Sequence, residues 1–330
     1  MLHEQWRSRG ETLEIHGRKV FYVDSAQESG ARKPRETLVI LHGFPTSSQD
    51  FYKVWPLLTE KFRVIIHDHL GFGFSDKPAD YSYSLVEQAE TALELWRRLG
   101  IGEAHLLAHD YGTSVATEIT ARRERGHEPV RLKSLTLCNG SVHIELADLR
   151  VLQVLLRNKT LGPLVARLSS RRVFGLQMKR IWGDSDKLPV EEIDAMWACI
   201  TNNDGKAAMP RISQYLHERV RFKNRWIGSL QRLDIPAHVL WAQKDPVSLP
   251  TIGRRLKVDM PHAEYTELPE PGHYPMLEDP EGWAAAALNF LNDQARAKSP
   301  GKKSRAPNKA GRSKTGQTGS TKKKARGKSK

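Results

Sequence analysis

Short runs of apolar residues alternate with stretches in which apolar residues recur at helical spacing. The runs contain few polar positions, which is typical of strands buried on both faces of a parallel sheet. They lie at residues 37–41, 63–66, 104–108 and 134–138. Near the start, residues 11–24 predict a β-hairpin that turns at His16, Gly17 and Arg18. Strands that alternate with helices in this way predict an α/β fold with a doubly wound, mostly parallel sheet.

Two helices are predicted between the early strands. One follows the segment His42–Ser48 and runs to about residue 58. The other starts after Ser84, which has Glu87 three residues later, and runs to Leu99. A serine and a glutamate at this spacing predict a capping box, in which each side chain binds the other's backbone N–H.

The alternation of strands and helices stops at Asn139 and resumes near residue 237. The residues between have helical periodicity and no convincing strand, so we predict that they form a helical cap over the edge of the sheet. Later elements are predicted at 237–241, 251–258, 265–268 and 280–292. The predicted organisation is a core of residues 1–139 and 231–295, a cap of residues 140–230 and a tail of residues 296–330.

The most informative stretch surrounds Asp110. An apolar strand leads into it, and a helix is predicted over residues 113–123. Small residues, Ala108 and Gly112, flank it at the two positions where a nucleophile elbow needs them. A carboxylate nucleophile favours attack on an sp³ carbon, because the product is an ester that water can hydrolyse. The alternative interpretation is that Asp110 is a turn residue that caps the helix.

Two further candidates follow predicted strands near the end of the chain. Asp245 comes shortly after strand 237–241, and His273 follows strand 265–268. The order Asp110, Asp245, His273 is the nucleophile, acid, histidine order of the α/β-hydrolase fold. Because the carboxyl ends of parallel strands share one edge, we predict that these side chains meet there. Taken singly, each of the later two is more typical of a surface turn.

The loop His42-Gly43-Phe44-Pro45 follows the strand at 37–41. We predict that the backbone N–H groups of Phe44 and Tyr111 form an oxyanion hole, because Tyr111 directly follows the predicted nucleophile. The alternative is an ordinary strand-to-helix turn. His42 and His109 adjoin these groups, and we predict that both contact the substrate.

The elbow HDYG (109–112), the loop HGFP (42–45), the segment G-F-G-x-S (71–75) and the late Asp245 and His273 resemble the Asp-nucleophile branch of the α/β-hydrolases. That branch contains epoxide hydrolases and haloalkane dehalogenases. Six motifs extend the resemblance: HGFPTSS (42–48), LGFGFSDKP (70–78), HDYG (109–112), MWA-x-I-x-NNDG (196–205), RWIGSL (225–230) and HYP-x-LEDP (273–280). They are similar to those of the mesoderm-specific transcript protein family, over roughly residues 10–294 and through the predicted cap. Vertebrate members of that family have an apolar, membrane-anchoring N-terminus, which residues 1–7 do not match.

The resemblance implies one of two reactions. Opening an epoxide needs a proton donor, and Tyr215 resembles the cap tyrosine of epoxide hydrolases. A halide needs N–H donors, and Tyr111 and Phe44 occupy positions where dehalogenases have other side chains. The cap residues Trp182 and Trp197 are alternative halide donors or substrate contacts, or they pack within the cap. We therefore predict hydrolysis of a small, apolar, epoxide-like substrate, with dehalogenation and a non-catalytic binding protein as alternatives.

The charge of the chain is concentrated at one end. The net formal charge is +14, yet residues 1–295 contain equal numbers of basic and acidic side chains. Residues 297–330 contain no acidic or aromatic residue and too little apolar surface to fold. We predict either a solvated tail or a segment that binds nucleic acid or another anionic surface without base specificity.

The remaining composition narrows the class of protein. Cys138 and Cys199 are far apart in a long chain, which favours reduced thiols. No run of about 18 apolar residues and no signal peptide is evident, so we expect a cytoplasmic location. The histidines lack metal-ligand spacing, and Gly71-Phe72-Gly73 lacks the third glycine of a dinucleotide site. The sequence therefore predicts neither a metal nor a cofactor.

Overall fold

The computed structural model describes residues 2–28 and 36–297. The strands are β1 (Glu11–Ile15), β2 (Arg18–Asp24), β3 (Thr37–Leu41), β4 (Arg63–His67), β5 (Glu103–His109), β6 (Arg131–Cys138), β7 (Ala237–Ala242) and β8 (Glu264–Leu268). They form one sheet in the order β1-β2-β4-β3-β5-β6-β7-β8. β2 pairs antiparallel with β1 and β4, and all other pairs are parallel. The predicted mostly parallel sheet is confirmed.

The ends of the central strands are level with one another. Leu41 of β3 pairs with Ala108 of β5, and His109 at the end of β5 pairs with Cys138 at the end of β6. The apolar residues of these strands are almost completely buried, as expected for strands covered on both faces. The loops that follow β3, β5 and β6 therefore leave the sheet from one common edge.

Helices cover both sides of the sheet. Across the described ranges, none of them combines the length and the apolar character that crossing a bilayer requires. They are α1 (Leu2–Arg7), α2 (Trp55–Thr59), α3 (Leu85–Arg98), α4 (Tyr111–Glu124), α5 (Val151–Leu156), α6 (Leu161–Leu168), α7 (Arg171–Ile181), α8 (Val190–Thr201), α9 (Gly205–Ile212), α10 (Tyr215–Arg221), α11 (Lys223–Gln231), α12 (Pro250–Asp259), α13 (Pro275–Glu278) and α14 (Pro280–Ala297).

Two local predictions were wrong. The helix expected after the His42 loop is divided into a 3₁₀ turn, Ser48–Phe51, and the short α2. Ser84 does cap α3, but no capping box forms. Glu87 accepts a hydrogen bond from the Ser82 hydroxyl, and that same hydroxyl accepts from the Ser84 N–H.

Residues 140–230 are helical and irregular, and the structure, which describes every one of them, contains no strand there. We call the helices α5 to α11 the helical insertion. Its last helix, α11, packs along α4. The Glu118 carboxylate of α4 accepts hydrogen bonds from Arg225 and from the Trp226 indole, at 2.7 and 2.8 Å. Arg225 and Trp226, the first two residues of the RWIGSL motif, thus join α11 to the core. The role of residues 140–230 as a cap stays a prediction.

Replacing Glu118 with alanine should lower the free energy of unfolding by about 3–5 kcal/mol, because the buried Trp226 indole and the partly buried Arg225 guanidinium lose their shared acceptor. Urea denaturation measures this. Glu124→Ala is the matched control, since Glu124 lies on the same helix and pairs with Arg232 in solvent, where ion pairs contribute little. Equal losses in the two variants would contradict a structural role for the buried carboxylate.

Candidate active site

Asp110 occupies a strained backbone position between β5 and α4. Its φ is 43° and its ψ is −108°, a conformation that L residues rarely adopt. The surrounding backbone fixes it: the Asp110 N–H donates to the Cys138 carbonyl at 3.2 Å, and the Gly112 N–H donates to the His42 carbonyl at 3.0 Å. A Cβ at Gly112 would lie 2.4 Å from the Leu41 oxygen, so only glycine fits there. Such strain persists where a site needs it.

The carboxylate of Asp110 points away from the helix that follows. It makes no capping hydrogen bond to α4, so the alternative interpretation of Asp110 as a helix cap is wrong. Its Oδ2 instead accepts a hydrogen bond of 2.9 Å from the Phe44 N–H. His273 Nε2 lies 4.0 Å from the same oxygen, and Arg219 Nη2 lies 3.7 Å from Oδ1. The carboxylate is 3% exposed and therefore relies on these donors and charges for its stability.

His273 is oriented by Asp245. Its Nδ1 donates to Asp245 Oδ2 at 2.8 Å, which leaves Nε2 turned toward Asp110. The Asp245 carboxylate is itself fixed: Oδ1 accepts from the N–H groups of Val247 and Ser248, and Oδ2 accepts from the Asn139 amide at 2.8 Å. The structure thus brings together the three residues that the strand order predicts.

Two opposing effects set the charge of His273. Burial lowers its pKa, but the neighbouring charge and hydrogen bond of Asp245, with a further contribution from Asp110, outweigh burial and raise the pKa to about 9. At neutral pH the imidazole is therefore mostly protonated. It becomes a base as pH rises toward 9, or when one of those negative charges is removed.

One of the two predicted oxyanion donors lies against the Asp110 carboxylate, and the role of the other, the Tyr111 N–H, stays a prediction. The Phe44 N–H already contacts an oxygen of Asp110, and Tyr111 begins α4 directly after it. The side chain of Tyr111 is completely buried, and its ring meets that of Tyr215 edge-on at 5.1 Å between centroids. Phe44 packs against Tyr215 from another side, at 5.6 Å. Tyr215 is thus held above the elbow.

Tyr215 is 1% exposed, and its hydroxyl accepts a hydrogen bond from the Gln153 amide at 3.4 Å. Burial raises its pKa well above 10, although the adjacent Arg219 charge acts in the opposite direction. The phenol therefore remains protonated at neutral pH and can donate its proton only to a strongly basic oxygen, such as an alkoxide that forms during ring opening.

A cavity of about 110 Å³ lies above the site. Phe44 and His273 belong to its wall, and the rest of the wall is mainly apolar. Trp197 lines this cavity and packs against Phe174, with 5.7 Å between ring centroids. Trp182 does not line it; instead it stacks on Tyr274 and borders a separate polar depression. The cavity suits a small apolar molecule.

His42 and His109 do not line the cavity. His42 Nδ1 donates to the Gly43 carbonyl, and its Nε2 accepts from the His69 N–H at 3.0 Å. His109 Nε2 donates to the His273 carbonyl at 2.8 Å. Burial and the nearby His273 lower the pKa of His109 to about 4, so it is neutral. In this structure the hydrogen bonds of both histidines fix the backbone of the loops that carry the site.

Sequence reasoning missed Arg219 and Asn139. Arg219 is 1% exposed; its Nε donates to Ser114 Oγ at 2.8 Å, and its guanidinium lies 4.5 Å from the Tyr215 ring centroid. The spacing of Tyr215 and Arg219 was an available signal, because residues i and i+4 share a helix face. Asn139 directly follows β6 and has a left-handed conformation, with a φ of 41°. Its position after a strand was the available signal, because the ends of the parallel strands meet at the site.

Among residues 2–28 and 36–297, no group of three or more His, Cys, Asp or Glu side chains has an arrangement that could hold a metal ion. Cys138 and Cys199 are free and buried. The chemistry that the described side chains can supply is nucleophilic attack, proton transfer and oxyanion binding.

A strained turn after a central strand, followed by an acid and a histidine after later strands of the same sheet, is the architecture of the α/β hydrolases. Residues 36–280 match the model of the α/β-hydrolase-fold family, and the chain belongs to that family. It is 38% identical to the mesoderm-specific transcript protein of Mus musculus over 87% of each chain, so the resemblance to that family is confirmed.

Two further comparisons agree. The chain is 39% identical to the putative hydrolase LipZ of Mycobacterium tuberculosis, over 88% of this chain and 98% of that protein. The structure resembles the loop variant DbeA-M1 of haloalkane dehalogenase from Bradyrhizobium elkanii, with a TM-score of 0.72, 21% identity, and coverage of 88% of this chain and 98% of that one. The family and the relatives support hydrolase activity, and the structural likeness shows a shared fold.

Proposed function

We propose that this protein hydrolyses an epoxide-like electrophile through a covalent ester on Asp110. The observation that carries the proposal is the position of its carboxylate: at a nucleophile elbow, with the Phe44 N–H on one oxygen and His273 Nε2 4.0 Å away. A carboxylate there is suited to attack on carbon in a strained ring, because ring opening releases strain and leaves a hydrolysable ester.

In the first step an oxygen of Asp110 attacks a ring carbon, and the carbon–oxygen bond of the epoxide breaks. The electron pair of that bond goes to the departing oxygen, which takes the proton of Tyr215. The aromatic contacts of Tyr215 with Phe44 and Tyr111 favour a fixed approach of the phenol. Arg219, over the Tyr215 ring, stabilises the phenolate until solvent reprotonates it.

In the second step His273 removes a proton from water, and the water oxygen attacks the ester carbonyl of Asp110. The N–H groups of Phe44 and Tyr111 receive the resulting oxyanion. When it collapses, the ester bond breaks, the departing oxygen takes the proton held by His273, and the diol leaves with the Asp110 carboxylate restored. Ester formation has meanwhile removed the negative charge of Asp110, one of the causes of the raised pKa of His273. The base therefore becomes available at the stage that needs it.

One observation favours haloalkane dehalogenation as the alternative: the indole-bearing Trp197 lines the apolar cavity. We expect Tyr215→Phe to separate the two reactions. Loss of the proton donor should slow ester formation from an epoxide by roughly 10²–10³-fold, and it should leave ester formation from a haloalkane almost unchanged, since a halide needs no proton. Rapid-quench kinetics with both substrate classes measures this.

Tyr265→Phe is the control for that comparison, because Tyr265 lies on β8, the edge strand of the sheet, whereas Tyr215 packs against Phe44 and Tyr111. Equal losses with both substrate classes in Tyr215→Phe would assign Tyr215 a packing role instead.

The decisive experiment is the intact-protein mass of His273→Ala after incubation with panels of epoxides and haloalkanes. Without the base, ester hydrolysis should stall and the adduct should accumulate. A gain equal to a whole epoxide, absent in the Asp110→Asn/His273→Ala double variant, is expected. A gain equal to a haloalkane minus hydrogen halide would move the assignment to dehalogenase. The absence of any adduct would favour a non-catalytic binding protein.

The basic tail carries a separate proposal. Residues 298–330 lie outside the described residues, and their composition supports nonspecific binding to nucleic acid by release of phosphate counterions. Deleting residues 298–330 should abolish salt-sensitive retention on DNA and leave hydrolysis unchanged; retention that survives the deletion would contradict this. The cytoplasmic location stays a prediction.

A further inference from the structure

The first three helices of the insertion carry apolar residues on two faces. Their inner faces include Leu156, Ala166 and Phe174, which line the cavity. Their outer faces carry a second set of large apolar residues that are 40–75% exposed. We call this set the outer patch: Val151 and Val154 of α5, Leu161, Leu164 and Leu168 of α6, and Val173 and Leu176 of α7.

The spacing of these residues shows that they form faces rather than scattered positions. On α6 they recur as i, i+3 and i+7, and on α5 and α7 as i and i+3, so each set lies along one side of its helix. Leu168, at 70% exposure, and Val151, at 75%, protrude most. Helices that are apolar on both sides are normally covered on both sides, and contiguous exposed apolar surface marks an interaction site.

The charge of the same segment is of one sign. Residues 149–183 contain eight Lys and Arg and no Asp or Glu. Most of these charges are free. Five of them are exposed and form no ion pair with any residue that the structure describes: Lys159, Arg167, Arg172, Lys179 and Arg180. The unpaired cations are complementary to an anionic surface layer, and the exposed leucines and valines beside them are complementary to an apolar layer beneath it.

We propose that the outer patch docks this protein on the surface of a bilayer that contains anionic phospholipids. Amphipathic, basic segments lie in the interface in this way, with apolar side chains among the acyl chains and Lys or Arg at the headgroups. Val173 both belongs to the outer patch, at 42% exposure, and lines the cavity. The cavity therefore borders the docking face at Val173, on the side from which an apolar ligand dissolved in the bilayer would approach.

The test is flotation of the full chain with vesicles of phosphatidylcholine alone or with phosphatidylserine, at 0.15 and 0.5 M NaCl. The variant Leu164→Asp/Leu168→Asp should reduce the partition coefficient roughly 100-fold, about tenfold for each leucine. Val220→Asp/Val258→Asp is the matched control, because these residues are 63% and 66% exposed outside the outer patch. Both variants keep the basic tail, so any attraction by the tail is equal, and 0.5 M salt screens it.

A dye that reports polarity gives a second measurement. Attached through Leu168→Cys it should shift to the blue on anionic vesicles, and attached through Val258→Cys it should not. Equal binding of the two Asp variants with no selective shift would overturn the proposal. A dimer that forms without lipid and is lost only in Leu164→Asp/Leu168→Asp would also overturn it, since a second copy would then cover the outer patch. Neither measurement depends on the proposed hydrolysis.

Discussion

Asp110→Asn is expected to lower kcat by about 10⁴-fold or more with any substrate that forms the ester. The neutral amide is a poor nucleophile toward carbon, and the substitution leaves no carboxylate at the elbow to form the ester. The amide oxygen can still accept the Phe44 N–H, so the loop geometry should persist. Steady-state turnover of the epoxide identified by trapping measures the loss, and circular dichroism verifies the fold.

Asp234→Asn is the control for this variant, because its carboxylate is 71% exposed and lies outside the site. It should retain full turnover. Turnover of Asp110→Asn within tenfold of the unmodified protein, with no conversion of the amide back to Asp detected by mass, would exclude Asp110 as the nucleophile. Loss of binding to vesicles or DNA in Asp110→Asn would instead indicate misfolding.

Asp245→Asn is expected to slow ester hydrolysis by about 10³–10⁴-fold. The amide oxygen of the new side chain would stay with the N–H groups of Val247 and Ser248, which need an acceptor. Its NH₂ group would then face His273 Nδ1, force the proton onto Nε2 and leave no lone pair toward the water. The same NH₂ group would oppose the amide of Asn139. Single-turnover kinetics should show the ester accumulating.

The pKa of His273 provides an independent measure of the same change. Asp245 is the main cause that raises this pKa to about 9, and burial lowers it. In Asp245→Asn the pKa should therefore fall below the ordinary 6.5, so the imidazole becomes neutral at lower pH although catalysis is lost. NMR titration of the imidazole in the free protein measures this. An unchanged pKa near 9 would contradict the role of Asp245.

The convergence of Asp110, Asp245 and His273 could be predicted because it follows from topology. Each comes after a strand, parallel pairing brings the strand ends to one edge, and the order along the chain is sufficient to bring these residues together. The strand bounds could be predicted for a related reason, since burial on both faces leaves uninterrupted apolar runs. These are properties of the chain's periodicity and do not depend on packing angles.

The place of Arg219 in the site does not follow from topology, although its i, i+4 spacing puts it on the same helix face as Tyr215. In the sequence it is one basic residue in a charged helix, and its burial depends on the angle at which α10 crosses the sheet edge, which periodicity does not determine. The different positions of Trp182 and Trp197 have the same origin, because both are aromatic residues of the insertion and only one faces the cavity. The missing capping box at Ser84 has a local cause, since Ser82 competes for Glu87.

The burial of Arg219 has a consequence for how molecules enter and leave. Lifting α10 off the core would separate its guanidinium from Asp110 and Ser114 and leave charges without partners in an apolar setting. Glu218, its neighbour, also holds the Leu85 N–H at 2.7 Å. We therefore expect α10 to stay packed against the core and not to move away from it as a lid would. Molecules would then reach the cavity past α5 to α7, which supply most of its wall, so the spacing of these helices would set the size of the molecules that pass.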